Sequence, residues 1–243
     1  MRLSFLVLFS ALAMVAQDSR QQLPTADEVV AKMMERDGQR QASLHGYTAI
    51  RRYVLENQHH HKRAEMLVKM TCREDGSKYF ETVSETGWGG ARKYVFPRLL
   101  EGESEASVPN ARERSRITPE NYSFEMLGTD YINGRTVYVI AISPKTPNKY
   151  LLRGKVWVDA DEYAIVRIEG VPAKNPSFWI KRVHFVHTYQ KSGPFWFPAF
   201  DRSITDVRIF GSTELTIEYF DYAPNTSVLS ASSELAGGTG NKY

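Results

Sequence analysis

Gly154-Lys155-Val156-Trp157-Val158-Asp159, then Ala160-Asp161-Glu162-Tyr163, then Ala164-Ile165-Val166-Arg167-Ile168-Glu169-Gly170 reads as two alternating runs around an acidic turn. A period of two sends successive side chains to opposite faces of a strand. The spacing predicts a hairpin in which Val156, Val158, Val166 and Ile168 share one face, with Lys155, Arg167 and Glu169 opposite. One buried face and one wet face are what an open antiparallel sheet covered on one side requires. Asp159 and Asp161 bracket the turn, where aspartate serves by hydrogen-bonding local backbone.

The same period extends in both directions. Residues 47–55 are rich in Tyr, Ile and Val. In 65–73, Met66, Val68, Met70 and Cys72 fall on one face, and Asp75-Gly76-Ser77 turns the chain into 78–84. Residues 122–131 and 135–143 flank Ile132-Asn133-Gly134, a strong hairpin signal. Further strands are expected at 179–190, 195–208 and 214–222, with Leu215, Ile217 and Tyr219 opposing Thr216 and Glu218. Short connections imply a largely up-and-down order. No βαβ rhythm and no phosphate-binding glycine motif occurs.

A single helix is expected near the start. Thr25 and Glu28 form a capping box, Val29, Val30, Met33 and Met34 recur at helical spacing, and Gly38 closes the stretch. Residues 85–120 break the strand pattern with several Gly and Pro, many charges and one apolar knot at Tyr94-Val95-Phe96 and Leu99-Leu100. They are expected to form a lid-like or docking insertion. Residues 225–243 are Ser/Gly-rich and expected to be a disordered tail.

Ahead of the helix lies Met1-Arg2, an apolar run at residues 3–9, and Ala11-Leu12-Ala13: one charge, a short hydrophobic core and a small-x-small signal. This predicts a signal peptide at 1–16 and an exported domain at 17–224, with no stable membrane span after cleavage. The chain has 243 residues and a formal net charge of +3, with basic and acidic residues interspersed, which argues against nucleic acid. The 12% aromatic share suits half-buried pleated surfaces. Cys72 is the only cysteine, so no internal disulfide forms and the core alone must stabilise the fold.

Chemistry-bearing residues read mostly as structural. His59-His60-His61 sits at a polar hairpin tip without further ligands at metal spacing. His184 and His187 face opposite sides of one strand. Phe178-Trp179 and Phe195-Trp196-Phe197 read as core aromatics. No nucleophile elbow occurs and Cys72 has no nearby histidine. No metal, no cofactor and no catalytic residue is expected.

The 154–159 and 165–169 hairpin resembles that of the lipoprotein-carrier family of LolA, LolB and RseB. Gly193-Pro194-Phe195-Trp196-Phe197-Pro198 and Leu215-Thr216-Ile217-Glu218-Tyr219 look like the C-terminal half of these domains. The resemblance implies an open, strongly curved antiparallel half-barrel, mainly β, covered by an N-terminal helix and a lid. It implies a periplasmic, non-catalytic carrier or binding protein for lipoproteins or other hydrophobic ligands. Lipid, a lipidated protein or an envelope protein would be the partner. Period-two reading places Ile140, Val156, Val158, Val166, Ile168, Phe185 and Ile217 on one concave apolar ligand surface beneath the helix. The alternatives are an envelope sensor, favoured if Tyr94, Phe96 and Leu99 formed an exposed patch, a secreted hydrolase, and a small transmembrane barrel. Lys155, Arg167 and Glu169 on the outer face argue against the barrel.

Overall fold

The computed structural model of the chain describes residues 23–146, 150–174, 180–207 and 211–226. The expected signal peptide at 1–16, the Phe178-Trp179 pair and the tail beyond 226 lie outside them. Helix α1 spans Ala26–Ala42 and starts as its sequence dictates. The Thr25 backbone N–H donates to the Glu28 carboxylate at 2.8 Å, and the Glu28 N–H donates to Thr25 Oγ1 at 3.3 Å. The helix does not end at Gly38. It runs one more turn to Ala42, although an exposed glycine costs about 1 kcal/mol against alanine. Arg40 in that added turn donates to the backbone carbonyls of Glu162 and Tyr163, tying it to the sheet.

Among the described residues ten strands follow: β1 (Leu44–Asn57), β2 (Lys62–Arg73), β3 (Lys78–Gly87), β4 (Tyr122–Ile132), β5 (Arg135–Pro144), β6 (Leu152–Asp159), β7 (Ile165–Pro172), β8 (Ile180–Ser192), β9 (Phe195–Val207) and β10 (Gly211–Thr226). They form one sheet in the order β3-β2-β1-β10-β9-β8-β7-β6-β5-β4. Every described pairing is antiparallel. The order is up-and-down throughout, except that the first and last strands pair in the middle and the connection from β3 to β4 spans the two open edges. Thr226 pairs with Leu44, which carries β10 four residues past its expected end at 222.

Curvature follows from what α1 touches. The helix runs directly into β1, and its buried face packs on residues of β4, β5, β6, β7 and β8, including Tyr122, Ile140, Val156, Ile168 and Phe185. One helix face thus meets five neighbouring strands, and the sheet curves over it as an open half-barrel.

The turns obey their residues. Asn133 and Gly134 have φ of 50° and 81°, the left-handed pair that a two-residue hairpin needs. Asp159, fully buried, accepts from the backbone N–H groups of Asp161 and Glu162 at 3.1 and 2.7 Å and from the Arg135 guanidinium. The aspartate of the 154–159 run is thus the clasp of its own turn. His60 donates its backbone N–H to Asn57 at 2.9 Å, so the histidines lie in the β1–β2 turn.

Residues 88–121, the β3–β4 connection, are helical: a π-helical turn at Ala91–Val95, α2 (Phe96–Ser107) and α3 (Pro109–Glu113). Pro97 and Pro109 occupy the first turns of α2 and α3, where a missing N–H costs nothing. Among the described residues no helix is long and apolar enough to cross a membrane.

Candidate functional site

Two cores line the inner face of the half-barrel. Val29, Val30 and Met33 of α1 press onto Tyr122, Ile140, Ile142, Val156, Val158 and Ile168, with Phe185 and Tyr189 packed alongside. Fully burying side chains of this size contributes about 1.5–3 kcal/mol each. The second core lies under the insertion. Ala91 and Phe96 are fully buried against Tyr53, Leu55, Met66 and Val68, with Leu99, Leu100, Leu215 and Ile217 around them.

The seven residues expected to share one surface are therefore divided. Ile140, Val156, Val158 and Ile168 meet beneath α1, and Phe185 joins them. Ile217 lies in the second core, under α2 rather than α1. Val166 is on the opposite face of the sheet, with Val137 and Trp157. The cause is a β-bulge: the β6–β7 register slips between Trp157/Arg167 and Val158/Ile165. A bulge sets two consecutive residues against one partner. Val166 and Arg167 thus both face outward beside Trp157, and Arg167 lies 5.0 Å over its ring. The apolar knot of the insertion is also placed differently from an exposed patch. Phe96 is buried and Leu99 half-buried, and only Tyr94 stays exposed.

Between the two cores runs a polar seam that strand alternation alone did not reveal. Arg51 on β1 is fully buried. Its Nη1 donates to both Glu103 oxygens at 2.8 and 2.7 Å and to the Tyr53 hydroxyl at 3.1 Å. Lys78 reaches the same carboxylate at 2.8 Å. Burial alone would raise the Glu103 pKa, but Lys78 and Arg51 overcome it and hold the carboxyl at about 2. The Arg51 guanidinium lies 4.6 Å from the Tyr219 ring centre. The Tyr219 hydroxyl donates to Asp201, which pairs with His187 at 2.6 Å. Burial, then Asp201, push the Tyr219 hydroxyl far above its ordinary pKa. Cys72 is buried with Ala49 and Met70 in a third, smaller cluster, and burial pushes its thiol up.

A cavity of about 330 Å³ opens beside α1, within the size range of small-molecule sites. Its lining includes Met33, Met34, Ile165, Ile168 and Tyr189. Asp37, Arg40 and Arg116 supply its charge. Ile168 is the one residue of the expected ligand surface that reaches it. The helix residues Met33 and Met34 were legible as a helix face, but nothing in their spacing marked them as cavity lining. A second cavity of about 280 Å³ lies between the β2–β3 hairpin and α2. Arg73, Glu74, Lys78, Glu103 and Arg112 make it strongly charged.

Comparison with known proteins adds the following. A family model described as "-like: Uncharacterized protein" matches residues 111–228, the β4–β10 part of the sheet. No curated protein matches the chain. Among solved structures, the chain is similar to one described as an outer membrane lipoprotein-sorting protein domain from Vibrio parahaemolyticus. Identity is 15%, coverage 83% of this chain and 94% of that one, and TM-score 0.45. It is similar to a DUF1329 family protein from Desulfovibrio piger at 11% identity, with coverage of 83% and 94% and a TM-score of 0.44. It is similar to a LolA superfamily protein from Nitrosomonas europaea at 11% identity, with coverage of 84% and 94% and a TM-score of 0.39. All three TM-scores lie below 0.5. Structures of lipoprotein-sorting and LolA type are thus among those this chain matches, the group its 154–169 hairpin resembles.

Proposed function

We propose that this chain is a non-catalytic binding protein for apolar ligands, exported to the bacterial envelope, and that the cavity beside α1 is where the ligand sits. The observation that supports the reading is the cavity itself: about 330 Å³ floored by Met33, Met34, Ile165 and Ile168. An apolar chain there is held by burial, each methylene contributing about 0.8 kcal/mol. Ten methylenes would supply roughly 8 kcal/mol before the cost of association, enough for retention without a charged contact. Carriage of lipoproteins is the form of this reading that the hairpin resemblance suggests. A protein-interaction role for the insertion has less support, because Phe96 and Leu99 are spent on its own core.

A fluorescent fatty-acid analogue is expected to bind with a stoichiometry near one. Ile165→Trp, which fills the half-buried side of the cavity, should weaken that binding at least about tenfold while thermal unfolding stays cooperative. Glu169→Gln, on the outer face, should leave binding unchanged. Equal binding by Ile165→Trp and wild type would remove the cavity from consideration.

A further inference from the structure

We infer that the cavity beside α1 takes a single-chain amphiphile with an acidic head, whose tail lies on Met33, Ile168 and Tyr189 and whose head meets Arg40 and Arg116. The inference rests on the apolar-ligand reading above and adds the chemistry of the head.

Three observations carry it. First, the charged lining residues are the more exposed ones. Arg116 is exposed and Arg40 and Asp37 are half-buried, whereas Met33 and Ile168 of the same lining are buried. The lining itself holds two cations and one carboxylate, and Glu113, outside the lining, also pairs with Arg116.

Second, the two guanidinium groups are positioned but poorly neutralised. Arg40 donates to the carbonyl oxygens of Glu162 and Tyr163 at 3.1 and 3.5 Å, which orient it and carry no net charge. The Glu162 carboxylate is directed elsewhere, to Arg135 at 3.1 Å, Lys191 at 2.6 Å and the Trp196 indole N–H at 2.9 Å. Among the described residues, no carboxylate lies within 4.0 Å of Arg40 in an ion pair. Arg116 stands 4.0 Å from Asp37 and 3.3 Å from Glu113, with side chains 42% exposed for Arg116 and 46% and 69% for its partners. Ion pairs this open hold little energy. An arriving carboxylate or phosphate would meet two forked donors of matching geometry.

Third, the size limits the tail. A volume of about 330 Å³ is near the lower end for small-molecule sites, which suits one chain rather than several. The donors also come from separate elements, Arg40 from α1 and Arg116 from the segment after α3. The head would therefore be held by side chains of two separate elements, with the tail against Ile168.

Isothermal titration with dodecanoate, dodecyl phosphate and dodecanol, each below its micellar concentration, tests this on the full mature chain. The acids should bind at a stoichiometry of one and at least about tenfold more tightly than the alcohol, as charge-assisted hydrogen bonds predict. Whichever acid binds more tightly identifies the head as carboxylate or phosphate. Arg40→Gln with Arg116→Gln should abolish the preference for acids and leave dodecanol binding as it was. Arg116 is exposed, so Arg116→Gln alone should fold and should lower the preference several-fold. Equal affinity of acid and alcohol for the wild type overturns the acidic head and leaves the apolar cavity standing. Failure of all three compounds to bind overturns both.

Discussion

Glu103→Gln is expected to cost the fold about 3–5 kcal/mol, the largest single-residue effect away from the two apolar cores. Glu103 is the carboxylate partner of Arg51, and Arg51 is fully buried. Removing one member of such a pair strands the other charge away from water. Arg51 is already stretched: among the described residues its Nε and Nη2 are buried without a hydrogen-bond partner, and the rings of Tyr219 and Phe80 serve it at 4.6 and 5.3 Å. Thermal unfolding by circular dichroism should show the midpoint fall by roughly 6–20 °C. The double change Arg51→Met with Glu103→Leu should recover most of that loss, since two apolar groups carry no stranded charge. A double variant less stable than Glu103→Gln would show that the pair stabilises by more than mutual compensation.

The same pair makes the attachment of α2 acid-sensitive. Glu103 is held at about 2, below its ordinary 4.5. A depressed carboxyl stabilises the fold fully above the unfolded pKa. That contribution is lost as pH falls from about 4.5 through about 2, and amounts to roughly 3 kcal/mol. Because Glu103 joins α2 to β1 and β3, acid should loosen the insertion before the core beneath α1.

Asp159→Ala is the second large effect, about 3 kcal/mol. The carboxylate is fully buried and serves two backbone N–H groups of the β6–β7 turn besides Arg135. Burial works to raise its pKa, but the Arg135 hydrogen bond and the Glu162 backbone N–H lower it below the usual carboxylate range. Its contribution is therefore present at neutral pH and lost in acid. Urea unfolding should report the loss as a lower midpoint with an unchanged slope. Asp159→Asn, which keeps an acceptor for the backbone but not the charge, should lie between alanine and wild type. If asparagine is as costly as alanine, the charge towards Arg135 matters and the turn hydrogen bonds do not.

The run 154–159 disclosed its structure because alternation, an aspartate and a turn all agree there. The capping box at Thr25 was legible for the same reason: two side chains satisfy each other locally. Val166 was misplaced because a bulge adds one residue without leaving a mark in the apolar pattern, and the face flips at that point. Residues 85–120 concealed their helices because glycine and proline punctuate helix starts as readily as they break helices. Pro97 and Pro109 are such starts. Ile217 alternates correctly, yet alternation cannot say which helix covers a given strand. That depends on the β3–β4 connection crossing the mouth, a long-range fact. Arg51 sits between Ile50 and Arg52 in sequence and looks like an ordinary strand charge. Only the arrival of Glu103 from 52 residues away shows that it faces inward.

The methionines allow the central claim to be tested inside one molecule. Met33 and Met34 line the cavity beside α1, whereas Met66 lies in the second core and Met70 in a third cluster with Cys72 and Ala49. With ¹³C-methyl methionine labelling, titration of dodecanoate should move the Met33 and Met34 methyl resonances and saturate at one equivalent, while those of Met66 and Met70 stay in place. If Met66 and Met70 move and Met33 and Met34 do not, the ligand enters beneath α2, and the site assigned here is the wrong one.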